Sequence, residues 1–325
     1  MNAFRVFISS TYLDLEKERE IVTSAITNAH FESVGMDLFV ADNNVAQWDL
    51  IEKEMEAADV VLFILGGRYG SICKDGKSYT HMEYELAHSL GKKRYAIVLS
   101  DRFLNAKGPK VSRNGVTVDV KDKQHAKALQ QFKDIVVSDK RYAMMANTND
   151  HLADTVINCL TEFMCELVGS WDGYVKLVRK MHAQIKGHYN SFIPDAIVGI
   201  KRGGLTTATM LARYRDMVPV IGLFSTVKIF DIRPNTDAFI EYNKSVIEYI
   251  VANNVKSILL VDSIAHDGDT LRNACNYLQT ECKDIQIKTA VLVIDTKCLE
   301  TPDYCLAKCK LNGHLQFKFP YKIEL

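Results

Sequence analysis

Apolar and polar positions along the chain follow two alternating patterns. Residues 4–8, 60–65 and 258–261 are short, almost uninterrupted apolar runs, which are typical of strands buried on both faces of a parallel sheet. Between such runs, apolar residues recur at helical spacing, as they do over residues 14–29. Strands that alternate with helices predict an α/β fold in which helices flank each parallel β-sheet.

The first half carries these strand and helix signals in turn. Its predicted elements are a strand at residues 4–8, a helix over 14–29, a strand at 36–40, a helix over 48–57, a strand at 60–65, a helix over 80–90 and a strand at 95–99. Thr11 and Asp14 form a capping-box pattern at the start of the first helix. Residues 101–126 are polar and predict a loop or lid. A helical stretch broken near residues 144–150 follows, and a helix over 151–167 closes this half.

The second half shows the same alternation without repeating the sequence. Its predicted elements are a helix over residues 170–185, a strand at 196–200, a helix ending at Tyr214, a strand at 219–224, a helix over 239–252, a strand at 258–261, a helix with Thr270 as its N-cap, and a strand at 287–294. The length of 325 residues exceeds what one hydrophobic core usually holds, about 250–300 residues. We therefore expect two domains, at residues 1–168 and 169–325.

Composition narrows the class of protein. The formal net charge is zero, which argues against a broad nucleic-acid interface, and no apolar run approaches the ~18 residues of a membrane span. The first residues lack the basic, apolar and cleavage regions of a signal peptide. Eight cysteines without CxxC pairs fit reduced thiols. We therefore expect a cytoplasmic protein that does not bind membranes.

One group of cysteines leaves two interpretations open. Cys298, Cys305, Cys309 and His314 carry side chains that ligate zinc in other proteins. Their spacing is irregular, so ordinary cysteines are the alternative interpretation.

Two strand-to-helix junctions in the second half carry the sharpest chemistry. Each offers backbone N–H groups at a helix start, where anions bind. The first junction adds the positive charges of Lys201 and Arg202, as a pyrophosphate requires. The second places Asp262, Asp267 and Asp269 where carboxylates meet ribose hydroxyls, or a hydrated Mg²⁺ that bridges to phosphates. The alternative is structural, with a tight turn at the first junction and helix caps at the second.

Residues from about 170 to the end resemble the type I phosphoribosyltransferases, especially the xanthine and hypoxanthine-guanine branch. The likeness rests on the segments SWDGYVKLVRKM, PDAIVGIKRGGL, ILLVDSIAHDGDTL, LVIDTK and FKFPY in that order. It implies a type I phosphoribosyltransferase fold, phosphoribosyl pyrophosphate as a substrate, and Mg²⁺ at Asp262. It also implies these ligand contacts: Lys201, Arg202, Gly203 and Gly204 with pyrophosphate, Asp262 with ribose hydroxyls, Asp267, Gly268, Asp269 and Thr270 with the 5′-phosphate, and Lys297 and Tyr321 with the base.

The sequence departs from this family where the chemistry is most demanding. Ser263 stands where the family's strand usually ends in a second acid, and Asp267 takes the usual place of a threonine. His266 stands where an acid usually assists proton transfer at the base, and histidine performs acid–base chemistry near neutral pH. His266 and Asp267 are therefore candidate catalytic residues, and a role restricted to nucleotide sensing is the alternative.

The first half resembles TIR-like domains, which are related more distantly to nucleoside 2-deoxyribosyltransferases. The segments VFISSTYLDLEKERE, ADVVLFILGGRYGS and SYTHMEYELA carry the likeness, and it implies a TIR-like or flavodoxin-like sheet. The resemblance also implies that Glu83 promotes cleavage of the bond between nicotinamide and ribose in NAD or a related nucleotide. A carboxylate suits that role because breaking an N-glycosidic bond builds positive charge on the sugar ring. The alternative is that Thr80 and Glu83 only form a capping box.

Other polar residues of the first half are candidate nucleotide contacts, because ligands of open parallel sheets bind at the carboxyl ends of the strands. They are Ser9, Ser10, Thr11, Arg68 and Tyr69. Helix capping and a simple turn are the alternatives for these positions. We assign Arg19 and Glu20 to a solvated helix face.

Both halves point to the anomeric carbon of a ribose, and three functions are open. The first is an effector that consumes NAD or a related nucleotide in its first domain and binds a nucleotide or nucleobase in its second. The second is a purine-type phosphoribosyltransferase with an accessory domain, and the third is a non-catalytic nucleotide sensor. Fusions of this kind resemble parts of prokaryotic antiviral defence, including retron-type toxins, which implies a homo-oligomer with defence-system partner proteins or nucleoprotein. We favour the effector.

Overall fold

Two compact units make up the chain. The computed structural model describes residues 3–35, 44–73, 75–113, 116–138, 143–187, 192–200, 203–213, 219–223, 237–311 and 317–321. One unit is Phe4–Phe163, and the other is Met164–Leu325 together with Met1–Ala3. Each unit is built on a five-stranded parallel sheet flanked by helices. The predicted α/β class is confirmed for both halves.

The first unit follows the order strand, helix, strand through most of its length. Its elements are β1 (Arg5–Ser10), α1 (Glu16–Asn28), β2 (Glu32–Gly35), α2 (Asn44–Ala57), β3 (Val60–Leu65), α3 (Tyr79–Ser89), β4 (Lys93–Leu99), α4 (Asp101–Ala106), β5 (Lys110–Arg113), β6 (Val116–Asp119), α5 (Ala126–Ser138), β7 (Ala143–Ala146) and α6 (Asn149–Val168), which continues into the second unit. The sheet order is β2-β1-β3-β4-β7. The chain leaves β1 in one direction to reach β2 and in the other to reach β3, so the switch point where ligands bind in such sheets lies between β1 and β3.

Helices cover both faces of this sheet. Odd-numbered residues of β1 face one side, where Phe7 packs in a cluster with Ala87 of α3 and Phe132 of α5. Even-numbered residues face the other side. There the rings of Phe4, which directly precedes β1, and Phe163 of α6 have centroids 5.6 Å apart. Ser9 and Ser10, which end β1, therefore face opposite layers of helices.

Several predictions for this unit are wrong in local structure. The segment 101–126 is not a polar loop, because it contains α4 and the antiparallel hairpin β5–β6. The predicted break between two helices is confirmed, but residues 143–146 within it form a strand that was not predicted, β7, which pairs with β4. These elements are too short for a periodic signal, and pairing or packing with neighbours stabilises them instead. The second strand lies at Glu32–Gly35, and the predicted strand at 36–40 lies outside the described residues.

The first turn of α1 also differs from the prediction. The helix begins at Glu16, with Leu15 as its N-cap and no capping hydrogen bond from a side chain. The predicted capping box of Thr11 and Asp14 is therefore wrong. Asp14 lies in the interior instead, with 3% of its surface exposed.

The second unit has the same sheet topology as the first. Its elements are α7 (Trp171–Lys186), β8 (Ala196–Ile200), α8 (Gly203–Arg213), β9 (Val220–Leu223), α9 (Asp237–Ala252), β10 (Ser257–Ala265), α10 (Asp269–Glu281), β11 (Gln286–Asp295) and β12 (Tyr304–Cys309). The sheet order is β12-β11-β10-β8-β9. The switch point therefore lies between β8 and β10. The two junctions identified in the sequence follow these two strands.

Three details of the second unit depart from the prediction. Strand β10 does not end at Val261 but runs to Ala265, so Asp262 and Ser263 lie on a strand rather than in a loop. The N-cap of α10 is not Thr270 but Gly268, whose φ of 91° favours glycine. Strand β12 carries no strong sequence signal and pairs with β11.

The described helices include none that is long and apolar enough to cross a bilayer. All eight cysteines are free thiols.

Candidate functional site

A buried serine–glutamate pair lies at the switch point of the first unit. Ser9 is the second-last residue of strand β1, and Glu83 is on α3, which follows β3. The Ser9 hydroxyl donates a short hydrogen bond to Oε2 of Glu83, and neither residue is exposed to solvent. The structure thus brings together two of the residues that the sequence singled out.

Glu83 is not a helix cap. The N-cap of α3 is Ser78, whose hydroxyl accepts a hydrogen bond of 3.3 Å from the backbone N–H of His81. Glu83 therefore lies one turn into the helix, where its carboxyl group faces the sheet. The capping-box interpretation of Thr80 and Glu83 is wrong, because the helix starts earlier than that pattern requires.

The surroundings of Glu83 bring its proton affinity close to neutral pH. Burial raises the pKa of Glu83 from 4.5 to about 7, although the hydrogen bond from Ser9 and the charge of Arg19 both lower it. Oε1 of Glu83 has no hydrogen-bond partner among the described residues. A carboxyl group of this kind exchanges a proton near pH 7, as acid–base chemistry requires.

Arg19 belongs to this buried group and not to a solvated helix face. Only 3% of its surface is exposed, and its Nη1 donates a 2.7 Å hydrogen bond to Oγ of Ser10. Arg19 lies on the same face of α1 as Val22 and Ile26, which are also buried, and this face turns it toward the end of β1. Glu20, the next residue, is exposed as predicted.

The remaining candidates of the first unit are used in packing. The Tyr69 hydroxyl hydrogen-bonds to Nδ1 of His81 at 2.8 Å, and its ring lies 6.4 Å from that of Phe132. Nη1 of Arg68 donates to the backbone oxygen of Asp119 at 2.9 Å. Thr11 is half-buried just beyond β1. None of these three has a described hydrogen bond to Glu83.

In the second unit, two glycines let α8 approach β10 closely. A Cβ atom on Gly204 would lie 2.2 Å from the backbone oxygen of Val261. A Cβ atom on Gly203 would lie 2.3 Å from Oγ of Ser263 and 2.7 Å from the Tyr321 hydroxyl oxygen. Only glycine fits both positions, so the first turn of α8 opens directly beside the end of β10. Lys201 and Arg202, which precede these glycines, lie outside the described residues.

Aromatic rings and a serine surround the end of β10. The Tyr321 hydroxyl donates to Oγ of Ser263 at 3.2 Å, and the Tyr321 ring stacks on Phe319 with centroids 5.1 Å apart. Burial raises the pKa of Tyr321. Asp262 is half-buried, and its Oδ1 accepts the backbone N–H of Ser263 at 2.7 Å. The neutral Ser263 is thus part of this group of contacts, next to the carboxylate of Asp262.

The loop before α10 is acidic and partly closed on itself. Oδ1 of Asp267 accepts the backbone N–H of Asp269 at 3.0 Å. Asp269 pairs with Arg272, whose Nη1 lies 3.0 Å from Oε1 of Glu300. A Cβ atom on Gly268 would lie 2.4 Å from the Glu300 side chain. The predicted phosphate contacts are therefore close together, but their carboxylates already have partners.

Three further predicted residues flank this loop. His266 and Thr270 are half-buried, and Lys297 is exposed just beyond β11. The backbone N–H of Lys297 donates to Oδ1 of Asp295 at 2.7 Å. The described contacts place Lys297 at the carboxyl edge of the sheet.

Histidine, cysteine and acidic side chains are the groups that could ligate a metal ion. Within the described ranges, no group of three or more histidine, cysteine or acidic side chains is arranged to hold a metal ion. The zinc interpretation therefore has no support from Cys298, Cys305 and Cys309, and His314 lies outside those ranges. The single carboxylate of Asp262 is compatible with Mg²⁺, because this ion commonly takes one or two carboxylates and completes its shell with water and substrate phosphates.

Two family models match the chain. Residues 5–158 match a domain of unknown function, DUF4062, and residues 168–322 match the phosphoribosyl transferase domain. No curated protein matches the chain.

Similar solved structures align with the second half. The xanthine-guanine-hypoxanthine phosphoribosyltransferase of Helicobacter pylori is 25% identical over 43% of this chain and 84% of its own, with a TM-score of 0.33. A purine phosphoribosyltransferase of Pyrococcus horikoshii is 17% identical over 43% and 86%, with a TM-score of 0.33. A hypothetical protein of Neisseria gonorrhoeae with bound ppGpp is 17% identical over 43% and 78%, with a TM-score of 0.31. What the family model shows is that residues 168–322 match the phosphoribosyl transferase domain family, whereas the likeness of the first half to TIR-like domains stays a prediction.

Proposed function

We propose that this protein consumes a nucleotide by cleaving the N-glycosidic bond of its ribose, and that NAD or a related nucleotide is the substrate of the first domain, residues 1–168. The observation that carries the proposal is the buried Glu83 carboxyl group, which is hydrogen-bonded to Ser9 at the switch point and has a pKa of about 7. A carboxyl group at the site where sheets of this topology bind ligands suits a reaction at an anomeric carbon.

The chemistry assigned to Glu83 follows from its charge. As the bond from C1′ to the base nitrogen breaks, the electron pair leaves with the base and positive charge develops on the ribose ring. An ionised Glu83 stabilises that charge, and it accepts the proton of the water molecule whose oxygen bonds to C1′. The Ser9 hydroxyl orients the carboxylate. Since Glu83 is covered in the described structure, the groups above it have to move aside when substrate binds.

In the second domain, residues 169–325, we propose a site for a nucleotide or for phosphoribosyl pyrophosphate. The family match supports it, and so does the close approach of the first turn of α8 to Asp262, which Gly203 and Gly204 allow. Pyrophosphate would bind at residues 201–204, ribose hydroxyls at Asp262, and a 5′-phosphate at residues 267–270. Lys297 and Tyr321 would contact the base, and His266 and Asp267 are the candidates for proton transfer. Mg²⁺ bound at Asp262 would neutralise phosphate charge.

Purine-type phosphoribosyl transfer by the second domain is the second candidate function, and the match of residues 168–322 to the transferase family favours it. A nucleotide sensor without turnover is the third. It is consistent with Ser263 in place of an acid and with the paired carboxylates at residues 267–269.

Purified full-length protein can separate these functions. It would be incubated with NAD, and separately with phosphoribosyl pyrophosphate, Mg²⁺ and a purine base, with products identified by mass spectrometry. We expect NAD cleavage that Glu83→Gln abolishes and that Glu85→Gln, a neighbouring exposed glutamate, leaves intact. Base-dependent loss of phosphoribosyl pyrophosphate that Asp262→Asn abolishes and Glu83→Gln does not would select the transferase instead. Nucleotide-induced oligomerisation without turnover would select the sensor.

For biological role, we propose a cytoplasmic, homo-oligomeric toxin of an antiviral system that partner proteins or a nucleoprotein hold inactive. Loss of a central nucleotide stops growth, which gives such an enzyme a direct means of halting an infected cell. Expression of the wild type with a suspected trigger should arrest growth, and Glu83→Gln should relieve the arrest.

A further inference from the structure

A concave site lies in the first unit, on the face of the sheet opposite to Glu83. It is a cleft of about 740 Å³, between the start of α1, helix α4, the start of β5 and the loop that leads into α6. Its volume is within the range of small-molecule sites, roughly 300–1,000 Å³. Glu83 bonds to Ser9, which faces α3, whereas α1 contacts Ser10 on the other face. The cleft and the Glu83 pair are thus separate features.

Three cationic side chains on the cleft wall have no described partner. Lys17, Arg102 and Lys110 line the cleft, are exposed, and form no described hydrogen bond or ion pair. They come from α1, α4 and β5, so the fold brings their charges together from three separate elements. Such a group is an attractive site for a phosphate, which cationic side chains bind through charge-assisted hydrogen bonds.

Two acidic residues of the same cleft, Glu18 and Glu16, differ in burial. Glu18 is 2% exposed and its Oε2 lies 2.5 Å from Nζ of Lys107, so these two charges neutralise each other. Lys107 also donates to the backbone oxygen of Asp14 at 2.8 Å. Glu16 is half-buried.

Asp14 is the exception among these acids. It lines the cleft, it is 3% exposed, and neither of its carboxylate oxygens has a hydrogen-bond partner among the described residues. Burial raises its pKa, although the nearby Thr11 hydroxyl and the charges of Arg68 and Lys107 lower it. A buried polar group without a partner is costly, and a ligand that donates a hydrogen bond to Asp14 would remove that cost.

We propose that this cleft binds a nucleoside monophosphate. The phosphate would meet Lys17, Arg102 and Lys110, and a ribose hydroxyl or base amine would donate to Asp14. Phe103 and Leu13, which also line the cleft, supply apolar surface for the base. The site is distinct from the Glu83 pair and from the second unit, so it gives the first unit a separate nucleotide-binding function.

Photolabelling of the full-length protein with azido-AMP tests this proposal. Labelled peptides would be identified by mass spectrometry, with and without excess AMP as competitor. We expect AMP-sensitive labelling within residues 13–18 or 102–112, and no such labelling with azidoadenosine, which lacks the phosphate. The double variant Lys17→Ala/Arg102→Ala should lower the cleft labelling at least about tenfold, because two charged contacts are lost.

Lys53→Ala is the matched control, since Lys53 is an exposed lysine on α2, which packs on the opposite face. It should leave cleft labelling unchanged, and so should Glu83→Gln. Asp14→Asn keeps the side-chain size and should weaken labelling without removing it. Labelling confined to residues 164–325 would overturn the proposal, as would cleft labelling that excess AMP does not compete or that the double variant does not reduce.

Discussion

Glu83 shows how the surroundings of one residue define a candidate site. A glutamate on a solvated helix face would be ionised at pH 7. Here burial raises the pKa to about 7, and the hydrogen bond from Ser9 and the charge of Arg19 keep it from rising further. The carboxyl group is therefore held where both protonation states are populated near neutral pH, which a purely structural glutamate does not need.

The raised pKa predicts a pH-dependent stability of the first unit. The folded state binds the Glu83 proton more tightly than the unfolded state, in which the pKa is near 4.5. Stabilisation by this proton is complete below pH 4.5 and is lost as the pH rises through about 7, at a cost of about 3 kcal/mol in unfolding free energy. Glu83→Gln should flatten this dependence.

Urea unfolding at pH 5 and pH 8 measures it. The chain has two tryptophans, and in a Trp171→Phe background Trp48 alone reports on the first unit. Glu85→Gln is the control and should keep the wild-type difference in unfolding free energy between the two pH values. An equal difference in the wild type and Glu83→Gln would show that Glu83 does not titrate in this range.

Ser9 should tune the carboxyl group through its hydrogen bond. Ser9→Ala removes the donor that favours the ionised form, so the pKa of Glu83 should rise. Activity that needs the carboxylate should then shift to higher pH and fall roughly fivefold at pH 7 for a rise of one unit, because the ionised fraction drops from about a half to about a tenth. A pH–rate profile checks this, and Ser10→Ala, on the opposite face, should move the profile less. An unshifted profile in Ser9→Ala would remove Ser9 from the site.

At the level of elements, sequence patterns predict the parts that are long or strongly apolar. The runs at β1, β3, β8 and β10 identify the sheets because both of their faces are buried. Strand β7 has only four residues, and Lys308 interrupts the apolar run of β12. Their structure depends on pairing with β4 and β11, which a local pattern does not encode.

Helix starts were the other source of error, and they matter for the site. Thr11 and Asp14 before α1, and Thr80 and Glu83 inside α3, match the sequence pattern of a capping box. In the structure, however, Asp14 is buried beside the cleft and Glu83 faces the sheet. Arg19 was missed for a different reason, because its charge suggested a solvated position although it lies three residues before the buried Val22 on the inward face of α1.

Gly204 lies where α8 packs against β10, so a methyl group added there should strongly reduce the stability of the second unit. Alanine in place of glycine inside a helix normally stabilises by about 0.5–1 kcal/mol. In Gly204→Ala the new Cβ would lie 2.2 Å from the Val261 backbone oxygen, so we expect a loss of about 2 kcal/mol in the unfolding free energy of the second unit. The affinity for phosphoribosyl pyrophosphate should fall as well.

Trp171 fluorescence in a Trp48→Phe background follows unfolding of the second unit. Thr209→Ala, at an exposed position of the same helix, is the control and should change stability by less than about 0.5 kcal/mol. Unchanged or higher stability of Gly204→Ala would mean that α8 does not approach β10 as closely as described.

The whole molecule consists of two units with one topology. In both sheets the first strand lies between the second and the third, and candidate polar residues lie at the resulting switch point. This explains why the sequence identifies candidate residues near the carboxyl ends of central strands: Ser9 is in the last two residues of β1, Asp262 in the last four of β10, and the glycines at 203 and 204 follow β8. The sequence does not predict the cleft beside Asp14, because its walls come from three stretches of the chain that are distant in sequence, residues 13–18, 102–112 and 147–149.

The most direct test of the central claim is mass spectrometry of nucleotide pools in cells that express the full-length chain with a suspected trigger. Wild type, Glu83→Gln and Glu85→Gln would be compared at equal protein level. The account predicts that NAD or a related nucleotide falls, with its free base and ribose fragment appearing, in the wild type and Glu85→Gln but not in Glu83→Gln. Equal nucleotide loss in all three would contradict it, because a reaction that survives without the Glu83 carboxyl group does not take place at this site.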